Sequence, residues 1–208
     1  MLTLKEQYEF YKIRFGLDIK TVDEMCPSKD DGEFSWFALI PPNLHLEEII
    51  SACKKCFYVA LMVKQEDWAL IQDGTGTQPK NEWFQNLQFL FMRPSLRGDR
   101  TYANNSFADI REKGVGGVTI CEEILIQFMY WHKHQHFLLN PSDGGTICTA
   151  SFTVHSGVPM VWVGRKKSDS TLALCLDLVT AWQKDELLFP REVRRRPLWL
   201  VGNRRIVK

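Results

Sequence analysis

Several features of membrane and secreted proteins are missing from this 208-residue sequence. No apolar run approaches the roughly 18 residues that a membrane-spanning helix needs. The first residues, MLTLKEQYEFYK, are charged and amphipathic and lack the apolar stretch of a signal peptide. We therefore expect a soluble cytoplasmic protein that does not contact a membrane.

The sequence also lacks a dense cysteine framework and the short motifs of common enzyme classes. Its six cysteines are scattered, mostly within apolar patterns, which is typical of reduced core thiols. It contains neither a Gly-x-Ser-x-Gly motif nor a Walker loop, and we predict no cofactor. Cys53 and Cys56 form one Cys-x-x-Cys pair at the end of a predicted helix, where the helix dipole disfavours thiolate. We interpret them as core cysteines, with a redox pair or a metal site as alternatives.

A large net charge is missing, because 26 basic and 25 acidic residues leave only +1, but the charges are unevenly distributed. The segment 191–208 has seven basic residues and one acidic residue, so it carries +6 and the other 190 residues carry −5. Arginines beside a tryptophan are typical of surfaces that bind phosphate backbones and unstacked bases, although a solvated terminal segment has the same composition. The candidate binding residues are Arg194, Arg195, Arg196, Trp199, Arg204 and Arg205.

The best-specified element is a central amphipathic helix. Thr119 and Glu122 have the spacing of a capping box, so a helix of about 17 residues should begin near Ile120. On a helical wheel one half is apolar, and Ile126 is the single apolar residue in the other half. The residues predicted for the polar, solvent-facing half are Glu122, Glu123, Gln127, Tyr130 and Lys133.

Three histidines follow at the end of this helix. In helical geometry His132 and His136 lie one turn apart on the apolar face, and His134 points the opposite way. This arrangement favours histidines that cap and pack the helix, with a two-histidine metal site as the alternative. The candidate metal ligands are His132, His136, Cys121 and Cys148.

Glycines precede the same helix. Gly114, Gly116 and Gly117 before a helix N-terminus could hold a phosphate on free backbone N–H groups. A dinucleotide-binding motif also needs a preceding strand and a third glycine in register, and both are missing. We therefore favour a helix stop followed by a tight turn.

Strand and helix patterns alternate in the N-terminal third. Thr3 and Glu6 form a capping box for a first helix. An apolar strand at 34–40 precedes a helix that we expect Asn43 to cap, and a second strand follows at 57–64. This order predicts a β-α-β unit whose strands are parallel if they are neighbours.

The remaining predicted elements lead to an α+β fold. Before the central helix they are a helical turn at 22–25, a strand at 68–72 in a hairpin with the strand before it, and a strand at 87–92. A short helix capped by Ser106 and Asp109 follows and ends at Gly114. After the central helix we predict strands at 147–154, 159–164, 172–179 and 198–201. We predict a single α+β domain over 1–208 with a mixed sheet, an N-terminal β-α-β-like part, the central helix and a mostly antiparallel C-terminal sheet. Its subregions are 1–72 and the basic segment 191–208.

Four stretches carry a resemblance to a known family. They are QYEFYKIRFGLDI, FSWFALIPPNLHLEEIISACKKCF, GGVTICEEILIQFMYW and VPMVWV, about a third of the chain. In this order they resemble an uncharacterised family of soluble bacterial proteins, a domain of unknown function. The resemblance implies a shared fold, and it implies no activity because none of these motifs is catalytic.

Two functions remain open from the sequence. The first is a non-enzymatic binding or interaction module whose basic C-terminal segment contacts nucleic acid or an acidic protein. The second is a small metal- or thiol-dependent enzyme in which Cys148 acts with His132, His136 or His155. The sequence predicts no oligomeric state.

Overall fold

The computed structural model describes residues 1–19, 33–42, 44–64, 67, 71–73, 87–95, 98–142, 144–153 and 157–197. Within them the fold is α+β. The helices are α1 (Leu4–Phe15), α2 (Leu46–Lys54), α3 (Phe107–Glu112) and α4 (Ile120–His134). The strands are β1 (Trp36–Ile40), β2 (Tyr58–Leu61), β3 (Ile71–Asp73), β4 (Gln88–Met92), β5 (Gly145–Ile147), β6 (Ser151–Thr153), β7 (Gly157–Arg165), β8 (Leu172–Thr180), β9 (Leu188–Pro190) and β10 (Val193–Pro197).

The longer strands form two sheets. An antiparallel sheet has the order β1-β4-β10, and a mixed sheet has the order β2-β8-β7-β5-β9 with β2 parallel to β8 and β9 parallel to β5. The predicted strand–helix–strand order over 34–64 is present as β1-α2-β2, but the two strands are not neighbours, because β1 and β2 lie in different sheets. The predicted hairpin of the strand at 68–72 is wrong, since β3 pairs with β6. The partners of β1, β2 and β3 lie far away in the chain, where local patterns carry no information.

Helix starts agree closely with the sequence. Capping boxes at Thr3, Ser106 and Thr119 start α1, α3 and α4, and each has both of its hydrogen bonds. Helix α2 begins at Leu46, and its N-cap is His45, whose N–H donates to Glu48 at 3.0 Å. The predicted cap, Asn43, lies outside the described residues.

The C-terminal half contains the predicted antiparallel hairpin, β7–β8, with nine residue pairs in register. The single strand expected at 147–154 is instead two strands, β5 and β6. The chain turns between them because the Ala150 N–H donates to the Val118 carbonyl at 3.0 Å, beside the start of α4. The helical turn at 22–25 and the strand at 198–201 lie outside the described residues.

Helix α4 is buried on all sides over most of its length. It packs against α1, α2 and β7, and its residues from Glu122 to Met129 are all buried. The predicted solvent-facing half is therefore wrong at Glu122, Glu123 and Gln127, and Ile126 is no misfit. Two carboxylates inside a core need positively charged partners. Strand β10 and the residues just before it supply them.

Two hydrophobic clusters result. The larger one surrounds α4 and includes residues from Leu2 to Val193. The smaller one consists of Ile147, Val158, Val179, Ala181 and Leu188, with Phe107 and Met160 packed against it. No helix among the described residues is long and apolar enough to cross a membrane.

Candidate functional site

The smaller cluster forms the floor of an open cavity of about 540 Å³. We call it the Trp182 cavity, because the Trp182 side chain at its edge is 75% exposed. The volume falls within the range of small-molecule binding sites. The lining residues are Phe107, Ala108, Arg111, Glu112, Thr153, Val158, Ala181 and Trp182.

Helix α3 is held against the end of β8 on two sides, and this fixes the shape of the cavity. The Ala108 N–H donates to the Ala181 carbonyl at 3.2 Å, and Lys184 forms an ion pair with Asp109 at 2.9 Å. Because Ser106 caps α3, Phe107 is its first residue and packs on the smaller cluster. The cap and these two contacts therefore place the Phe107 ring in the lining of the cavity, which Trp182 also lines.

The rim of the cavity carries a cation and an anion. Lys184 and then Ser106 hold the pKa of Asp109 at about 2, so this carboxylate is ionised and already compensated. Arg111 and Glu112 are exposed on α3, and neither forms an ion pair with another residue in the described ranges. Arg111 can therefore offer its guanidinium to an anionic group of a ligand.

A second group of reactive side chains lies where three helices meet. Arg14 on α1 donates from Nη1 to Cys56 Sγ at 3.0 Å, and its Nη2 lies 3.0 Å from His132 Nδ1 on α4. All three side chains are partly buried. Burial and then the Arg14 charge lower the pKa of His132, so the neutral imidazole accepts the hydrogen bond. We call these residues the Arg14–Cys56–His132 cluster.

The predicted metal ligands are not brought together. Gln135 has a left-handed backbone (φ 59°) and ends α4, so His136 leaves the helix and does not continue the face of His132. The His136 ring lies instead beside Tyr130 and His134, with centroid distances of 5.4 and 5.8 Å.

The cysteines proposed to complete the metal site lie elsewhere. Cys121 is eleven residues before His132 on the same helix, a rise of about 16 Å. Cys148 is buried near the start of α4, so the pairing of Cys148 with His132 is wrong as well. Among the described residues no three side chains of the metal-binding types are grouped. His155 lies outside the described residues.

The described part of the basic C-terminal segment, 191–197, is built into the fold. The Arg195 guanidinium donates two hydrogen bonds to the Glu122 carboxylate, from Nε to Oε1 at 2.9 Å and from Nη2 to Oε2 at 2.5 Å. Its Nη2 also donates to the Gly117 carbonyl at 2.7 Å. Arg191 pairs with Glu123 at 2.9 Å, and both side chains are almost fully buried. The expectation of a solvated segment is therefore wrong for Arg195, because its charge is compensated by Glu122 on α4.

Arg194 is exposed, and its guanidinium lies over the Phe34 ring at 4.1 Å. Arg93 lies 4.6 Å from the same ring and is balanced by Glu33, Asp99 and Glu192. This face of the sheet therefore has both signs of charge. The side chain of Arg196 and the whole of Trp199, Arg204 and Arg205 lie outside the described residues.

The glycines before α4 serve packing. A Cβ on Gly117 would overlap the Thr149 side chain, so this position needs glycine. The Ile120 N–H donates to Ser151 Oγ at 2.9 Å, and the Glu122 N–H donates to Thr119 Oγ1 at 3.2 Å. The phosphate alternative required such groups to be free, so it is not supported.

No protein-family model matches the chain, and neither a curated protein nor a solved structure gives a significant match. The candidate sites therefore rest on geometry alone. Sequence reasoning missed Trp182, because it follows β8 in a turn without a periodic pattern. It also missed Arg14, which the wheel of α1 treats as an ordinary surface residue.

Proposed function

We propose that the protein is a non-enzymatic binding module and that the Trp182 cavity is its binding site. The observation that carries the proposal is a 75% exposed tryptophan at the edge of a cavity with an apolar floor. Exposed large aromatic residues in a concave apolar site are typical anchors for a bound partner. Burial of the indole by a ligand would remove a large apolar surface from water.

The charge at the rim indicates the chemistry of the partner. Arg111 can pair with a carboxylate, whereas Lys184 is already paired with Asp109. The partner that fits best is an acidic protein segment that inserts an apolar side chain beside Trp182. This retains the acidic partner expected from the sequence and moves its contact from the C-terminal segment to α3.

The C-terminal segment supports a nucleic-acid partner less well. Arg191 and Arg195 are neutralised by Glu123 and Glu122, so two of its seven basic residues have their charges compensated inside the fold. A phosphate contact through Arg191 or Arg195 would have to break its ion pair at a cost of several kcal/mol.

Location and family remain proposals of the same kind. None of the five cysteines in the described ranges forms a disulfide, which supports a reducing compartment such as the cytoplasm. We also propose that this chain is related to the uncharacterised family of soluble bacterial proteins that its sequence resembles.

The binding proposal is tested with two matched small probes, N-acetyl-leucine and N-acetyl-leucinamide. They differ in one carboxylate, and titration of the ¹⁵N-labelled protein is followed at the Trp182 indole N–H signal, assigned with Trp182→Phe. We expect saturable shifts with both probes. The carboxylate should bind about threefold tighter, because a rim-exposed ion pair contributes at most about 1 kcal/mol.

Variants separate the two contributions. Trp182→Ala, followed at the backbone amide signals of the other lining residues, should weaken both probes about tenfold, and Arg111→Ala should remove only the advantage of the carboxylate. Ile13→Ala is the control, because Ile13 is 64% exposed on α1 and does not line the cavity. Equal affinity of the wild type and Trp182→Ala for both probes would contradict the proposal.

A further inference from the structure

The Arg14–Cys56–His132 cluster places a fixed positive charge against a partly exposed sulfur. Arg14 Nη1 donates to Cys56 Sγ at 3.0 Å, and the same guanidinium is held at its other side by His132 Nδ1. The guanidinium also lies 5.7 Å from the centre of the Phe128 ring. Helices α1 and α4 and the turn after α2 therefore fix the direction in which Arg14 faces the sulfur.

We propose that Cys56 is a site of oxidation by peroxides, at which Arg14 stabilises the anionic forms of the sulfur. Hydrogen peroxide is the named oxidant. The Cys56 thiolate attacks one peroxide oxygen, so an S–O bond forms and the O–O bond breaks. The sulfur loses two electrons to the peroxide, and the departing hydroxide takes a proton to become water, leaving a sulfenic acid or its sulfenate on Cys56.

Arg14 acts on both sides of this step. The guanidinium gives a charge-assisted hydrogen bond to the attacking sulfur, and it can do the same for the oxygen of the sulfenate product. His132 accepts from Arg14 and donates nothing to the sulfur in this arrangement, so it is a positioning residue. The inference is independent of the Trp182 cavity.

The other cysteines differ from Cys56 in their surroundings. Cys53, three residues earlier, is buried, and burial followed by the neighbouring Cys56 raises its pKa. It therefore stays a thiol that attacks a sulfenate poorly, and the oxidised Cys56 should persist long enough to be trapped. Cys121 is the other partly buried cysteine in the described part of the chain, and it serves as an internal reference.

The test is dimedone labelling of the folded protein during treatment with hydrogen peroxide, quantified at each cysteine by mass spectrometry. We expect Cys56 to be labelled about tenfold faster than Cys121. Arg14→Ala should lower the Cys56 rate about fivefold, and Arg14→Lys should recover part of it because the charge is kept. Lys12→Ala, an exposed cation on the same helix, is the control and should leave the rate unchanged.

His132 gives a second and independent readout. His132→Asn keeps a polar acceptor near the position of Nδ1 and should preserve the labelling rate, whereas His132→Phe should lower it toward that of Arg14→Ala. Thermal unfolding of each variant identifies any that do not fold, and the inference is then read from the remaining substitutions. Labelling of Cys56 no faster than Cys121, or rates unchanged in both Arg14 variants, would overturn it.

Discussion

Replacing Glu123 by Gln tests whether the buried ion pair on α4 organises the core. Glu123 and Arg191 are 0% and 2% exposed, and Glu123 Oε1 also accepts from Gln127. The substitution keeps the volume of the side chain, removes its charge and replaces one of its two accepting oxygens by an NH2 donor. Arg191 then remains buried with an uncompensated positive charge, in the interior where Coulomb interactions are least screened.

The expected loss follows from this geometry. Breaking a buried ion pair by removing one partner costs about 3–5 kcal/mol, and the lower end applies because the amide oxygen can still accept from Arg191. With 208 residues, an unfolding entropy of about 2.1 cal/mol/K per residue converts 3 kcal/mol into a fall in Tm of about 7 °C. Thermal unfolding followed by circular dichroism measures it directly.

Two further variants serve as controls for this prediction. Glu9→Gln removes an exposed carboxylate from α1 and should change Tm by less than about 1 °C. The double substitution Glu123→Leu with Arg191→Met removes both charges and should recover most of the loss, because an apolar pair needs no compensation. A Tm for Glu123→Gln within about 2 °C of the wild type would show that the buried Glu123–Arg191 ion pair does not organise the core.

Two other predictions concern packing and pH. Gly117→Ala should lower the free energy of unfolding by about 1–3 kcal/mol, because the new Cβ overlaps Thr149, and adding Thr149→Ala should restore part of it in urea unfolding. The pKa of His132 is lowered from 6.5 by burial and then by Arg14, so its contribution to stability is present above pH 6.5 and is lost as pH falls through the lowered value. His132→Asn should therefore lose less stability than the wild type between pH 7.5 and pH 5; an equal loss in both would contradict this assignment.

Local signals were sufficient for the starts of three helices. A capping box needs only two residues three positions apart, so Thr3, Ser106 and Thr119 predict α1, α3 and α4. Alternation likewise predicts the β7–β8 hairpin, because side chains of a strand point to opposite faces.

Long-range partners could not be predicted in the same way. Glu122 and Glu123 were placed in solvent because a helical wheel assigns carboxylates to water. Their arginine partners lie 73 and 68 residues further along the chain. Only the folded arrangement of α4 beside β10 brings these charges together, so the basic segment looked solvated in the sequence.

The candidate sites show the same limit. The exit of α4 depends on Gln135 adopting a left-handed backbone, which is uncommon for glutamine, so the paired geometry of His132 and His136 was wrong. Arg14 lies 42 residues before Cys56 and 118 before His132, so neither spacing signals a contact. The Trp182 cavity likewise combines α3 with the ends of three strands or their flanking turns.

The most direct test of the binding site is the set of nuclear Overhauser contacts between the protein and bound N-acetyl-leucine. The account predicts contacts from the probe methyl groups to the Trp182 indole and the Phe107 ring, the two aromatic side chains of the cavity. In Trp182→Ala the contact to the Phe107 ring should be weaker at the same probe concentration, because the probe binds less tightly. Contacts confined to other apolar residues, such as the exposed Ile13 or Met62, would contradict the account.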